Sequence, residues 1–89
     1  MKVAYRNGFF RDVKKIKAKG VAQAVDAVIQ RVKEAAGLQD ISDCKKIAGS
    51  EDCFRIRVGE YRIGIVVEDD VVEFVRCLPR RDMCRHFPE

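Results

Sequence analysis

Between Cys53 and Leu78 apolar and polar side chains alternate with a period of two. Phe54, Ile56 and Val58 alternate with Arg55 and Arg57, and Tyr61, Ile63, Ile65 and Val67 with Arg62, Gly64, Val66 and Glu68. This period places one set of side chains on each face of a strand, so one face can be buried while the other meets water. The stretch therefore predicts three short strands in a meander. Gly59-Glu60 suits a two-residue turn with glycine first, and Asp69-Asp70 is the second turn. A two-residue turn at 59–60 sets Val58 opposite Tyr61, Arg57 opposite Arg62 and Arg55 opposite Gly64.

Upstream the period changes. Lys2–Arg6 is a short strand with Val3 and Tyr5 on one face, expected to join the same sheet. Asn7 is placed to cap a helix whose apolar positions are Phe9, Phe10, Val13 and Ile16, and Gly20 separates it from the next. Val21–Ala36 carries Val21, Val25, Val28, Ile29, Val32 and Ala36 on one helical stripe, with Gly37 as the stop. Leu38–Ser50 reads as a connector, with Leu38, Ile41 and Ile47 packing beneath it. The tail from Pro79 to Glu89 has room for one helical turn. The expectation is an α+β fold of order β-α-α-β-β-β, with a two-helix hairpin packed on one face of a mostly antiparallel, twisted four-stranded sheet.

Eighty-nine residues make a single domain spanning 1–89. The hydrophobic fraction of 47% excludes general disorder. The formal charge of +4 favours acidic partners such as nucleic acid or an acidic protein segment. Its distribution is sharper than its total: every lysine lies at or before Lys46, and beyond it the cations are all arginine, at 55, 57, 62, 76, 80, 81 and 85. Arginine is favoured where planar, forked contact to an anion matters. The first residues are too short and polar a stretch for a signal peptide, and no apolar run approaches the roughly 20 residues of a membrane helix, so a cytoplasmic protein without membrane contact is expected. The four cysteines, Cys44, Cys53, Cys77 and Cys84, form no C-x2-C pair, which argues against zinc and for reduced thiols. No metal or cofactor is expected.

Residues directly opposite in a hairpin share a face, so Arg55, Arg57 and Arg62 project together beside the open backbone of Gly64. Like charges directly opposite destabilise a hairpin, and a chain that places Arg57 against Arg62 has a use for clustered charge. A phosphate fits three converging guanidiniums. A solvated sheet face that happens to be basic is the plain alternative. No Ser-His-Asp set or phosphate-binding glycine loop occurs, and the sole histidine, His86, sits in the arginine-rich tail. If the tail folds back, Arg80, Arg81, Arg85 and His86 ring the arginine face and supply one group able to move a proton near neutral pH.

These residues carry a resemblance. Phe54–Ile65, FRIRVGEYRIGI, is similar to the YRIRVGDYRVIY pattern of the RelE/ParE superfamily of toxin–antitoxin toxins. Arg80–Arg85, RRDMCR, is similar to that family's HRRDVYR tail, and Lys45–Gly49 to its KKLKG element. The likeness covers nearly the whole chain. RelE-type members cut messenger RNA in the ribosomal A site by attack of a ribose 2′-OH on the adjacent phosphate. The resemblance implies an endoribonuclease in which Arg55 and Arg57 hold the basic strand positions, Arg62 and Arg80 contact phosphate, and His86 moves a proton. Arg81, Arg85 and Cys84 would contact RNA, Cys84 standing where the family usually has tyrosine. Implied partners are a cognate antitoxin, the ribosome and messenger RNA, with DNA reached only through the antitoxin. A ParE-like inhibitor of DNA gyrase, or a catalytically inactive binding module on the same fold, are the other readings.

Overall fold

A computed structural model describes residues 1–88, and Glu89 lies outside them. Among the described residues the sheet has five strands in the order β1-β5-β4-β3-β2. These are β1 (Lys2–Tyr5), β2 (Cys44–Lys46), β3 (Cys53–Val58), β4 (Tyr61–Glu68) and β5 (Val71–Pro79). β1 runs parallel to β5 and every other pairing is antiparallel. The helices are α1 (Asn7–Lys14), α2 (Lys19–Glu34) and α3 (Arg80–His86). No described helix is long and apolar enough to cross a membrane.

The meander matches the sequence pattern residue for residue at its first turn. Val58 faces Tyr61, Arg57 faces Arg62 and Arg55 faces Gly64. Gly59 takes a φ of 58°, the left-handed conformation that only glycine adopts without cost. Phe9, Val25, Val28, Ile29 and Val32 of the two helices bury against Ile56, Ile63, Ile65, Val72 and Phe74. The helical hairpin on one sheet face is therefore as expected.

Four details differ. The sheet gains β2, which pairs with β3 at the sheet edge, Lys45 lying opposite Arg55. Its three residues show no apolar alternation, because an edge strand is held by backbone hydrogen bonds rather than by a buried face. Arg6, not Asn7, is the residue before α1, and no side chain caps that end. The break between the helices falls at residues 15–18, with Gly20 inside the first turn of α2. The tail forms two turns rather than one, because Met83 and Phe87 find a second apolar cluster with Cys53 and Val75 on the face of the sheet away from α1 and α2.

Between Gly64 and Ile65 the β4–β5 register shifts: Gly64 faces Arg76 and Ile65 faces Phe74, so Val75 is an extra residue. Such a bulge re-aims side chains. Val75 joins the α3 cluster, while Arg76 reaches α1. Asp12 of α1 accepts hydrogen bonds from Arg76 Nε at 2.7 Å, Arg76 Nη2 at 3.2 Å and the Cys77 backbone N–H at 2.9 Å. That carboxylate is 5% exposed and pins α1 to the bulge. Burial, and to a lesser degree the charge of Asp12, push the Cys77 thiol up to about 12.

Candidate nucleic-acid interface

A cleft of about 420 Å³ opens between the β2–β3–β4 edge and α3. Arg55 and Arg57 enter it from β3, Arg62 from β4, Arg80 and Cys84 from α3, and Asp43 and Lys45 from the β2 edge. Alternation brings the three strand arginines to the face opposite the main core. Two contacts bring α3 to them. The Arg80 backbone N–H donates to the Glu60 carbonyl at 2.8 Å, which fixes the start of α3 against the β3–β4 turn. Met83 and Phe87, four residues apart on one helix face, bury against the sheet.

The electrostatics are unfavourable in the absence of an anion. Arg62 Nη1 donates to the Gly59 and Tyr61 carbonyls, both at 2.9 Å, so its guanidinium is held at the turn. Burial, followed by the neighbouring charges of Arg57, Arg80 and Arg55, holds the Arg62 pKa below the ordinary arginine value, with Glu60 acting the other way. Arginine remains a cation under these conditions, so the repulsion stays in place until a counter-charge arrives. Phosphate would relieve it through forked, charge-assisted hydrogen bonds.

The tail does fold back, but not all of it reaches the cleft. A helix turns about 100° per residue. Arg80 and Cys84 therefore fall on nearly the same side of α3, while His86 lies well around the axis. His86 lines a different cavity of about 430 Å³ with Asp12, Lys15, Tyr61, Arg76 and Asp82, and none of the four cleft arginines lines it. The expected ring of positive charge is thus completed by Arg80 and not by His86. Arg81 lines a neighbouring cavity that shares Arg80 and Cys84 with the cleft, and Arg85 is exposed. Gly64 is not open backbone either: a Cβ there would stand 2.7 Å from the Phe87 ring, which covers it.

Sequence reasoning missed Asp43 and Lys45. Lys45 could have been found from its place in a basic element just ahead of the meander. Asp43 carried no periodic signal. It sits at a φ of 58°, where aspartate is tolerated better than most residues, and its carbonyl accepts the Arg57 backbone N–H at 3.0 Å.

The chain is similar to known proteins along its whole length. A family model described as the ParE toxin of the type II toxin–antitoxin system parDE matches residues 3–83. Toxin RelE3 of Methanocaldococcus jannaschii is 36% identical over 89 residues, covering 99% of this chain and 100% of that protein. The toxin fold in the RelB–RelE antitoxin–toxin complex from Methanococcus jannaschii superposes with a TM-score of 0.81 at 32% identity, over 96% of this chain and 99% of that one. An archaeal RelE–RelB complex from Pyrococcus horikoshii OT3 gives 0.72 at 19% identity, over 89% and 93%, a likeness of fold alone. The family match and the full-length relative place the protein together: it belongs to the RelE/ParE superfamily of type II toxin–antitoxin toxins.

Proposed function

We propose that this toxin is a ribosome-dependent endoribonuclease that cuts messenger RNA in the A site, and that the arginine cleft holds the phosphate being cleaved. The carrying observation is that four arginines from three elements line one cleft, with Arg57 placed directly opposite Arg62 despite the repulsion. Attack of a 2′-OH on the adjacent phosphorus builds negative charge on the phosphoryl oxygens. Cations already fixed where that charge develops often contribute more to the rate than any other single effect. Arg62 and Arg80 take the phosphoryl oxygens, Arg55 and Arg57 the flanking charge, and Arg81 and Arg85 the RNA backbone beyond the cleft. Cys84 offers a small side chain at the rim where many relatives have a stacking tyrosine.

His86, proposed from sequence as proton carrier, faces the other cavity, so His86→Ala should leave the cleavage rate within about a factor of two of wild type. A cytoplasmic setting, with a cognate antitoxin that covers the cleft with an acidic segment and supplies any DNA contact from elsewhere in its chain, fits the exposed positive charge. Gyrase inhibition is the second reading. It is favoured by the ParE description of the matching family and by the lack of a stacking aromatic at position 84.

The test uses purified toxin, 70S ribosomes and a defined messenger RNA, with Arg62→Ala alongside. A ribosome-dependent A-site cut that falls by about a hundredfold or more in the variant is the expected result. Folded protein that binds ribosomes without cutting, and that blocks supercoiling by gyrase, would replace this reading with the second.

A further inference from the structure

A cleft made of arginines can stabilise a phosphorane but cannot remove a proton, because guanidinium has no free lone pair and does not deprotonate in proteins. The proposed reaction needs an acceptor for the 2′-OH proton. Of the described residues lining the cleft, Asp43 is the sole carboxylate. Lys45 as an ammonium has no lone pair, and a thiol such as Cys84 is a weak acceptor. Among the described residues Asp43 forms no ion pair within 4.0 Å, in contrast to Glu73 with Arg6 and Asp12 with Arg76. No hydrogen bond from another described residue engages its side chain either, while its backbone carbonyl is tied to Arg57 N–H. The backbone is anchored at the active face and the carboxylate is left unengaged.

We infer that Asp43 is the general base of this toxin, an assignment that rests on the endonuclease reading above. In the step, Asp43 Oδ takes the proton from the ribose 2′-OH as the 2′-oxygen bonds to phosphorus. The P–O5′ bond breaks with its electron pair on the 5′-oxygen, which takes a proton from water in the open cleft. The products are a 2′,3′-cyclic phosphate and a free 5′-OH, and the base is regenerated by proton loss to solvent. The groups facing Asp43 across the cleft are Lys45 of β2, Arg55 and Arg57 of β3, Arg62 of β4, and Arg80 and Cys84 of α3. These cations stabilise the nascent 2′-oxyanion and so lower the demand on the base.

The competing explanation is that aspartate is present for its backbone, since φ is 58°. Asp43→Asn separates the two: asparagine is equally at home in that conformation and cannot accept the proton. Asp43→Gly is the second variant, with the backbone relaxed and no side chain. The readout is single-turnover cleavage on programmed 70S ribosomes at neutral pH, with ribosome affinity and melting temperature measured on the same samples. Expected are a loss of about a hundredfold or more in both variants at neutral pH and affinity within about threefold of wild type. Cleavage by Asp43→Asn within about threefold of wild type overturns the assignment and leaves the nuclease reading intact. A wild-type protein that binds ribosomes and does not cut removes both.

Discussion

The position of α3 depends on one missing methyl group. A Cβ built at Gly64 lies 2.7 Å from both Cγ and Cδ2 of Phe87 and 2.9 Å from Cε2. No real contact of this kind is that short, and Gly64 is a central-strand residue with no freedom to retreat. Gly64→Ala therefore forces the Phe87 ring out of a site where it is 4% exposed. Fully burying a phenylalanine contributes about 1.5–3 kcal/mol, and overpacking a core typically costs about 1–3 kcal/mol. The two describe the same event, so a loss of about 2–3 kcal/mol is expected, not their sum. For a domain of this size that is a fall of roughly 8–24 °C in melting temperature.

The assay is a double-mutant cycle by urea unfolding with Phe87→Ala, which alone should cost about 3 kcal/mol or more. Once the ring is gone the alanine at 64 has nothing to strike, so the double variant should be less destabilised than the sum by about 1–3 kcal/mol. Because α3 also carries Arg80 and Cys84 into the cleft, Gly64→Ala should lower cleavage more than its folded fraction accounts for. Additive costs, or a Gly64→Ala loss under about 0.5 kcal/mol, would refute the argument that this contact seats α3.

Other expectations rest on contacts elsewhere in the domain. Asp12→Ala removes the acceptor of three hydrogen bonds at the bulge and should cost about 3 kcal/mol by chemical unfolding, whereas Asp12→Asn, which keeps an acceptor for Cys77 N–H, should cost less. Cys77 stays a thiol in the folded state up to about 12, while in the unfolded chain it ionises near the ordinary thiol value of 9.0. The unfolded state then binds fewer protons above that pH, so stability is full below it and falls as pH rises toward 12, by up to about 4 kcal/mol. Cys77→Ala should flatten this alkaline decline in urea titrations run at successive pH values. Arg57→Thr removes the like-charge pair across β3 and β4 and should raise the melting temperature by a few degrees while reducing cleavage, a combination that a purely structural arginine would not give.

The first hairpin was legible because its information is local. A two-residue turn led by glycine fixes the register, and the register fixes which arginines share a face. The two long helical stripes were legible for the same reason. β2 was not, since of Cys44, Lys45 and Lys46 only Cys44 is partly buried against the core, and one inward residue sets no period. α3 was half legible: the arginines announced a basic tail, but the helical phase that brings Arg80 and Cys84 inward and carries His86 away is set by Met83 and Phe87. Their four-residue spacing was the available signal. Asp12 was a lone acid on a basic helix, and nothing in its neighbourhood marked the bulge it holds 64 residues away.

The arrangement also explains how a small domain tolerates an array of like charges. The cleft lies outside the main core, and Met83 is the member of the second apolar cluster that lines it, so the repulsion among Arg55, Arg57, Arg62 and Arg80 acts on groups that hydration still reaches. What holds them together is the framework around them: the main core behind β3 and β4, the Phe87 contact under α3, the Arg80 to Glu60 backbone bond and the Asp12 clamp on the bulge. Because those contacts hold the framework in place, the guanidiniums cannot relax by moving apart as whole elements. Their mutual repulsion is therefore available to be relieved by an anionic ligand, whether RNA phosphate or an acidic antitoxin segment. On the reading proposed above, either ligand would draw on the same four side chains, and the two would then compete for the cleft.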